Sequence, residues 1–172
     1  MKSNLLFDFS VNKNEHKIFV KRAFNADQQL VWDAFTKSEI LDEWWAPQPW
    51  KSKTKYMNFI VGGRRFYAMV SPQNDAHWSI QDFTSITPIS NFQFVDAFAD
   101  QDENIQANMP SATWNLNFTE VDAITTVDIT IQHQSLENLE TIIQMGFKEG
   151  FSATLDYLDN YIQTQFLLRK QK

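Results

Sequence analysis

Four polar residues interrupt otherwise apolar alternations, and they are the positions where this chain could do chemistry. Arg65 alternates with Tyr67 and Met69, and Asp96 falls in the run Phe92, Phe94, Asp96, Phe98. Asp82 shares a face with Trp78 and Ile86, while His77 adjoins Trp78 near a strand start. Residues two apart in a strand face the same side. A charge within such an alternation therefore sits in the core, in a pocket or at a solvated strand end. A buried guanidinium needs a carboxylate, because an unpaired buried charge is very costly. Arg65 with Asp96 or Asp82 is expected to do one of two things. The pair either satisfies the core internally, or it forms the polar end of an aromatic pocket and orients a ligand with an acidic or carbonyl group. Asp96, Asp82 or His77 in a pocket would also suit the acid–base chemistry of a cyclase or hydrolase. No nucleophile–base pair accompanies them, so no catalytic residue is assigned.

Other chemistries are poorly supported. His16, His77 and His133 are far apart and share no metal-ligand spacing, and the chain has no cysteine, which removes thiolate sites and disulfides. There is no G-x-S-x-G element. Gly62-Gly63 is followed by neither a helix nor G-K-[ST], so it reads as a turn and not as a phosphate loop. No metal and no cofactor is called for. The formal net charge of −6 over 172 residues argues against nucleic acid as a partner. Leu5-Leu6-Phe7 is interrupted by Asp8 and has no small-residue cleavage site after it. No apolar run approaches membrane-spanning length, so stable membrane insertion is not expected. The expectation is a cytoplasmic protein of one domain.

The elements that must position these residues can be read from periodicity. Residues 1–16 carry an apolar alternation at Leu5, Phe7, Phe9 and Val11, read as an arm or an added edge strand. The strand 18–24 follows, with Arg22 its odd member. Asn25 or Asp27 caps a short helix bearing Leu30, Val31, Ala34 and Phe35. A second helix runs through Ile40, Leu41, Trp44 and Trp45, and Pro47 and Pro49 end it. Strands are expected at 55–61, 64–70, 78–86, 92–98, 113–121 and 124–132, with Gly62-Gly63 as a tight hairpin and 100–110 as an acidic loop. The domain spans 17–168, with a tail at 169–172.

One long helix is predicted over 135–168. Leu136, Leu139, Ile143, Phe147, Phe151, Leu155, Leu158 and Ile162 form its apolar stripe. Gly146 and Gly150 lie inside it, each costing about 1 kcal/mol relative to alanine. They are expected to allow a close approach or to leave volume for a ligand. A sheet with one apolar face and one long amphipathic helix pack economically when the sheet curls around the helix. The fold class is thus α+β, a helix grip with a curved six- to seven-stranded antiparallel sheet and two short helices after the first strand. Aromatic residues make up 15% of the chain, which suits either a bulky core or an apolar ligand cavity.

Three stretches in order carry a family resemblance: R-A-F-N-A-D-Q-Q-L-V-W-D-A-F-T-K-S-E-I-L-D-E-W-W-A-P, then G-G-R-R-F-Y-A-M, then M-G-F-K-E-G-F-S-A-T-L-D-Y-L-D-N-Y. Together they resemble the Aha-type activators of the heat-shock ATPase chaperone, within the helix-grip SRPBCC (START-like, lipid-transfer-related) superfamily. The resemblance covers about residues 17–165 and implies a pocket for apolar small molecules. Eukaryotic members carry a further N-terminal domain that docks on the chaperone. This chain has no room for one and looks like the stand-alone bacterial form, for which a co-chaperone role does not follow. Arg65 also stands where tryptophan is frequent in the family. The leading expectation is non-catalytic binding of an apolar or amphipathic molecule, such as a lipid. Its walls are Trp44, Trp45, Trp50, Tyr67, Met69, Trp78, Phe94, Met145 and Phe147, with Arg65 and Asp96 as polar contacts. The alternatives are a stress-related regulator of a chaperone ATPase and an enzyme. Lys51, Lys53, Lys55, Arg64 and Arg65 against Asp96, Asp100, Asp102 and Glu103 form a bipolar charge pattern that would suit self-association as a dimer.

Overall fold

The computed structural model describes residues 5–170. The start of the expected arm (1–4) and the end of the expected tail (171–172) lie outside the described residues. Eight strands form one antiparallel sheet: β1 (Phe7–Asn12), β2 (Lys17–Phe24), β3 (Lys51–Met57), β4 (Arg64–Val70), β5 (Ala76–Thr87), β6 (Asn91–Ala99), β7 (Ala112–Val121) and β8 (Ile124–His133). Their spatial order is β1-β2-β8-β7-β6-β5-β4-β3. The chain thus meanders from β3 to β8 and closes against β2. The sequence implied six or seven strands, and the arm adds the eighth: β1 pairs in register with β2 from Phe7↔Arg22 to Asn12↔Lys17.

Two short helices carry the chain from β2 to the far edge. Asp27 caps α1 (Gln28–Thr36), accepting from the Leu30 N–H at 2.8 Å. The Trp44 indole N–H donates to the Ala34 carbonyl at 3.0 Å, fastening α2 (Ser38–Trp44) onto α1. Asp42 of α2 accepts from the hydroxyls of Ser52 and Thr54 and from the Thr54 N–H, so α2 is also tied to β3. The outermost strand β3 exposes Lys51, Lys53 and Lys55, charges of the kind that discourage edge-to-edge pairing.

Between β3 and β4 the expected tight hairpin is replaced by a six-residue connection, 58–63. Gly62 has φ +86°. At Gly63 a Cβ would lie 2.1 Å from the Asn58 carbonyl oxygen, a separation no side chain tolerates. The pair also bonds to β5, through Gly62 N–H to Phe83 O (2.8 Å) and Phe83 N–H to Gly63 O (3.0 Å).

The predicted single C-terminal helix is two helices. Ser135 caps α3 (Leu136–Gln144) by accepting from the Asn138 N–H, and α4 covers Phe147–Lys170. Gly146 has φ +87°, the conformation that glycine supplies just past a helix end. Its N–H bonds to the Ile143 carbonyl, and its own carbonyl accepts from Gly150 N–H. It therefore closes one helix and opens the next. The α4 face toward the sheet buries Phe151, Leu155, Leu158 and Ile162, each worth about 1.5–3 kcal/mol when removed from water. Arg22, buried on β2, anchors the helix through Asp156 at 3.0 Å and packs its guanidinium over Phe7. Among the described residues no helix is long and apolar enough to cross a membrane.

Candidate ligand cavity between the helices and the sheet

Register decides which side chains face α4. Tyr67 of β4 opposes Ser79 of β5, and Ser79 opposes Phe98 of β6. The inner face therefore carries Arg65, Tyr67 and Met69, then His77, Ser79, Gln81 and Phe83, then Phe92, Phe94, Asp96 and Phe98. From β7 it receives Ala112, Trp114, Leu116 and Phe118. Near α1 these positions pack solid, with rings such as Trp32, Phe92 and Phe118 in contact. Toward the other end, beneath the α3–α4 break, they leave space below the helices. A cavity of about 310 Å³ remains.

Its apolar wall includes Trp45, Met69, Trp114, Ile131, Ile142, Phe147 and Phe151. Trp114 meets Phe151 edge-on, with ring centres 5.6 Å apart, and Phe151 stacks on Phe147 at 5.2 Å. The polar lining is Tyr67, His77, Ser79, Asp96, Ser111, His133 and Thr154. Exposed His77 and Met145, the latter 54% accessible, stand at the entrance.

Asp96 is the charged group of this lining. Its two oxygens accept from the Ala112 backbone N–H at 2.7 Å and from the Trp114 indole N–H at 2.8 Å. Burial pushes its carboxyl up to about 6, against the pull of those two donors. Asp96 nonetheless keeps some accessible surface, consistent with a carboxylate deep in the protein with open space before it. The Tyr67 hydroxyl accepts from the Trp45 indole N–H at 3.0 Å. Burial raises the Tyr67 phenol, and Arg65 opposes the rise. His133 is buried, which lowers its imidazole, and its Nδ1 has no hydrogen-bond partner among the described residues.

Of the eleven residues singled out from sequence, Trp45, Tyr67, Met69, Asp96, Met145 and Phe147 line the cavity. The other five do not. Trp44 is core between α1 and α2, and Phe94 lies behind Trp114, stacked on it at 5.2 Å. Trp50 packs against the His77 ring from outside at 5.0 Å. Trp78 faces the opposite side of the sheet and stacks on Phe66 at 4.7 Å.

Arg65 is also displaced from its expected role. It is fully buried and does face inward, but it pairs with neither Asp96 nor Asp82. Its guanidinium bonds to Ser52 and Thr54, lies 3.6 Å from Asp42, and covers the Tyr67 ring at 3.8 Å. Burial lowers it to about 10, so it stays charged at neutral pH. Asp82 lies on the outer face, held by Arg64 at 2.6 and 3.0 Å. Arg64 also pairs with Glu103, which Tyr56 contacts in turn. The bipolar charge pattern is thus partly consumed within the chain. Trp114, Phe151, Ser111, His133 and Thr154 were missed. Trp114 was legible in principle, since it alternates with Leu116 and Phe118. Among the described residues no three histidine or carboxylate side chains gather to hold a metal ion.

A curved antiparallel sheet gripping a C-terminal helix, with an aromatic cavity between them, defines a helix-grip protein. The chain belongs to the family described as Activator of Hsp90 ATPase homolog 1-like protein, whose model matches residues 25–163. Among solved structures, protein Ms6760 from Mycobacterium smegmatis is 24% identical, with a TM-score of 0.84 over 92% of this chain and 96% of that one. A protein from Staphylococcus epidermidis is 29% identical, with a TM-score of 0.80 over 91% and 94%. The AHSA1 protein from Silicibacter pomeroyi is 16% identical, with a TM-score of 0.68 over 87% and 99%. No curated protein sequence matches this chain.

Proposed function

We propose that this protein binds a compact, largely apolar small molecule in the cavity between α3, α4 and the inner face of the sheet. The observation that carries the reading is the cavity itself: about 310 Å³, walled by Trp45, Trp114, Phe147 and Phe151, with Asp96 set among them. That volume is at the lower end of the range for small-molecule sites, and apolar walls with a few placed polar groups are their usual make-up. The size favours a molecule of one to three rings over a long acyl chain. Native mass spectrometry of protein from its own host, looking for a retained small molecule, tests the reading. Melting shifts across a panel of apolar compounds give the second readout, because a ligand specific for the folded state raises the melting temperature. A chain that retains nothing and shifts with nothing does not have this function.

The family's description favours a second reading, regulation of a chaperone ATPase. That reading predicts binding to the chaperone and a changed ATPase rate, and it requires no cavity.

A further inference from the structure

Resting on the cavity reading, we infer that the ligand's polar end is a hydrogen-bond donor, an amine above all, and that the cavity rejects carboxylates. The lining contains one acid, Asp96, and no lysine or arginine. Arg65, the cation expected there from sequence, is outside the lining, over the Tyr67 ring and against Asp42. The lysines of β3 point to solvent. Burial lowers the His133 imidazole and so disfavours its cationic form. A fatty acid or aryl carboxylate would thus sit beside Asp96 with no cation in the lining to balance it, and like charges in one site disfavour each other.

Hydrogen bonding points the same way. The two donors on Asp96 come from neutral groups, Ala112 N–H and Trp114 Nε1–H, one to each oxygen. A carboxylate offers about four acceptor positions, so each oxygen keeps capacity toward the cavity. Among the described residues no cation pairs with Asp96. The walls suit a cation as well, since ammonium groups are attracted to the faces of tryptophan and phenylalanine. The site is therefore the reverse of the one Arg65 would have made. It is built to receive positive charge or a donated proton.

Three probes sharing one ring system decide it: 2-naphthylmethylamine, 2-naphthylmethanol and 2-naphthoate, titrated calorimetrically into the wild-type protein at pH 7.5. The expected order is amine, then alcohol at roughly tenfold weaker affinity, with the naphthoate weakest. Asp96→Asn should bring the amine down to the level of the alcohol. Naphthoate binding as well as the amine, or amine and alcohol binding equally, overturns the inference and leaves the cavity reading standing. Failure of all three, together with the failed compound panel, overturns the cavity reading as well. An asparagine side chain can accept only one of the two resident donors, so Asp96→Asn puts folding at risk; the ranking on wild-type protein decides the question without it.

Discussion

The Arg65 guanidinium lies 3.8 Å from the centre of the Tyr67 ring and 3.6 Å from Asp42, with its Nη1 lacking any hydrogen-bond partner. A charge this deep contributes little net stability, because its desolvation offsets its contacts. Arg65→Met should therefore change unfolding free energy by no more than about 1–2 kcal/mol, as Asp42 keeps its three donors from Ser52 and Thr54. Asp42→Ala should cost more, about 3 kcal/mol or above, since it strands the buried cation. Urea unfolding of both variants checks the asymmetry, and equal losses would contradict it.

The two helix glycines should respond with opposite signs. At Gly146 a Cβ meets nothing, but φ is +87°, so Gly146→Ala should destabilise by about 1–3 kcal/mol through backbone strain. At Gly150 a Cβ would touch Pro47 Cγ at an ordinary 3.7 Å. Gly150→Ala should stabilise by about 0.4–1 kcal/mol. Neither glycine is there for a close approach, since no packed neighbour would come within 3.4 Å of a Cβ; both border the cavity. Urea midpoints of the two variants, measured side by side, test the split.

Asp96 should leave a signature in the pH dependence of stability. Its carboxyl ordinarily titrates near 3.8 and burial raises it to about 6 in the folded chain. The folded state then holds the extra proton between those values. Its contribution is fully present below about 4 and is lost as pH rises through 6. The amide of Asp96→Asn does not titrate, so the stability of wild type minus that of the variant should fall from pH 4 to pH 7. A flat difference would mean that Asp96 is well solvated, and a rising one that the Ala112 and Trp114 donors outweigh its burial.

Ligand affinity should carry the same titration with the opposite sense. An amine needs the ionised carboxylate, so its affinity should rise between pH 5 and 7 and level off, while that of the matching alcohol should move much less. The titratable groups facing Asp96 are Tyr67 from β4, His77 from β5 and His133 from β8; α3 and α4 contribute only Thr154 and apolar residues. Repeating the titration with His77→Gln separates the exposed imidazole at the entrance from the acid within. A rise that survives Asp96→Asn would assign the effect to a histidine.

Much of this architecture was legible because strands with one buried face alternate. The runs through Trp114, Leu116 and Phe118 and through Val127, Ile129 and Ile131 read directly. β5 misled for a physical reason. Its outer face carries Ile80, buried with Phe66 and Ala99 in a small second cluster, while its inner face carries His77, Ser79 and Gln81. Where a sheet lines a cavity, its inner face need not be its more apolar one, which is why Trp78, expected in the wall, lies on the outer side with Asp82. The partner of Arg65 was hidden differently. Asp42 sits on a helix surface pattern and reaches β3 only through the packing of α2. The α3–α4 break was masked because Ile143, Phe147 and Phe151 keep a spacing of four straight across it. Only Gly146 marked it.

That break divides labour along the C-terminal segment. The half that holds the molecule together, from Phe151 through Asp156 to Ile162, is fixed to Arg22 and the solid core. The half that frames the entrance, from Ile142 to Phe147, straddles the glycine joint. A substitution at exposed Met145 would reshape the entrance while leaving the buried face of α4 in place. A family could change its ligands at that rim while keeping one scaffold.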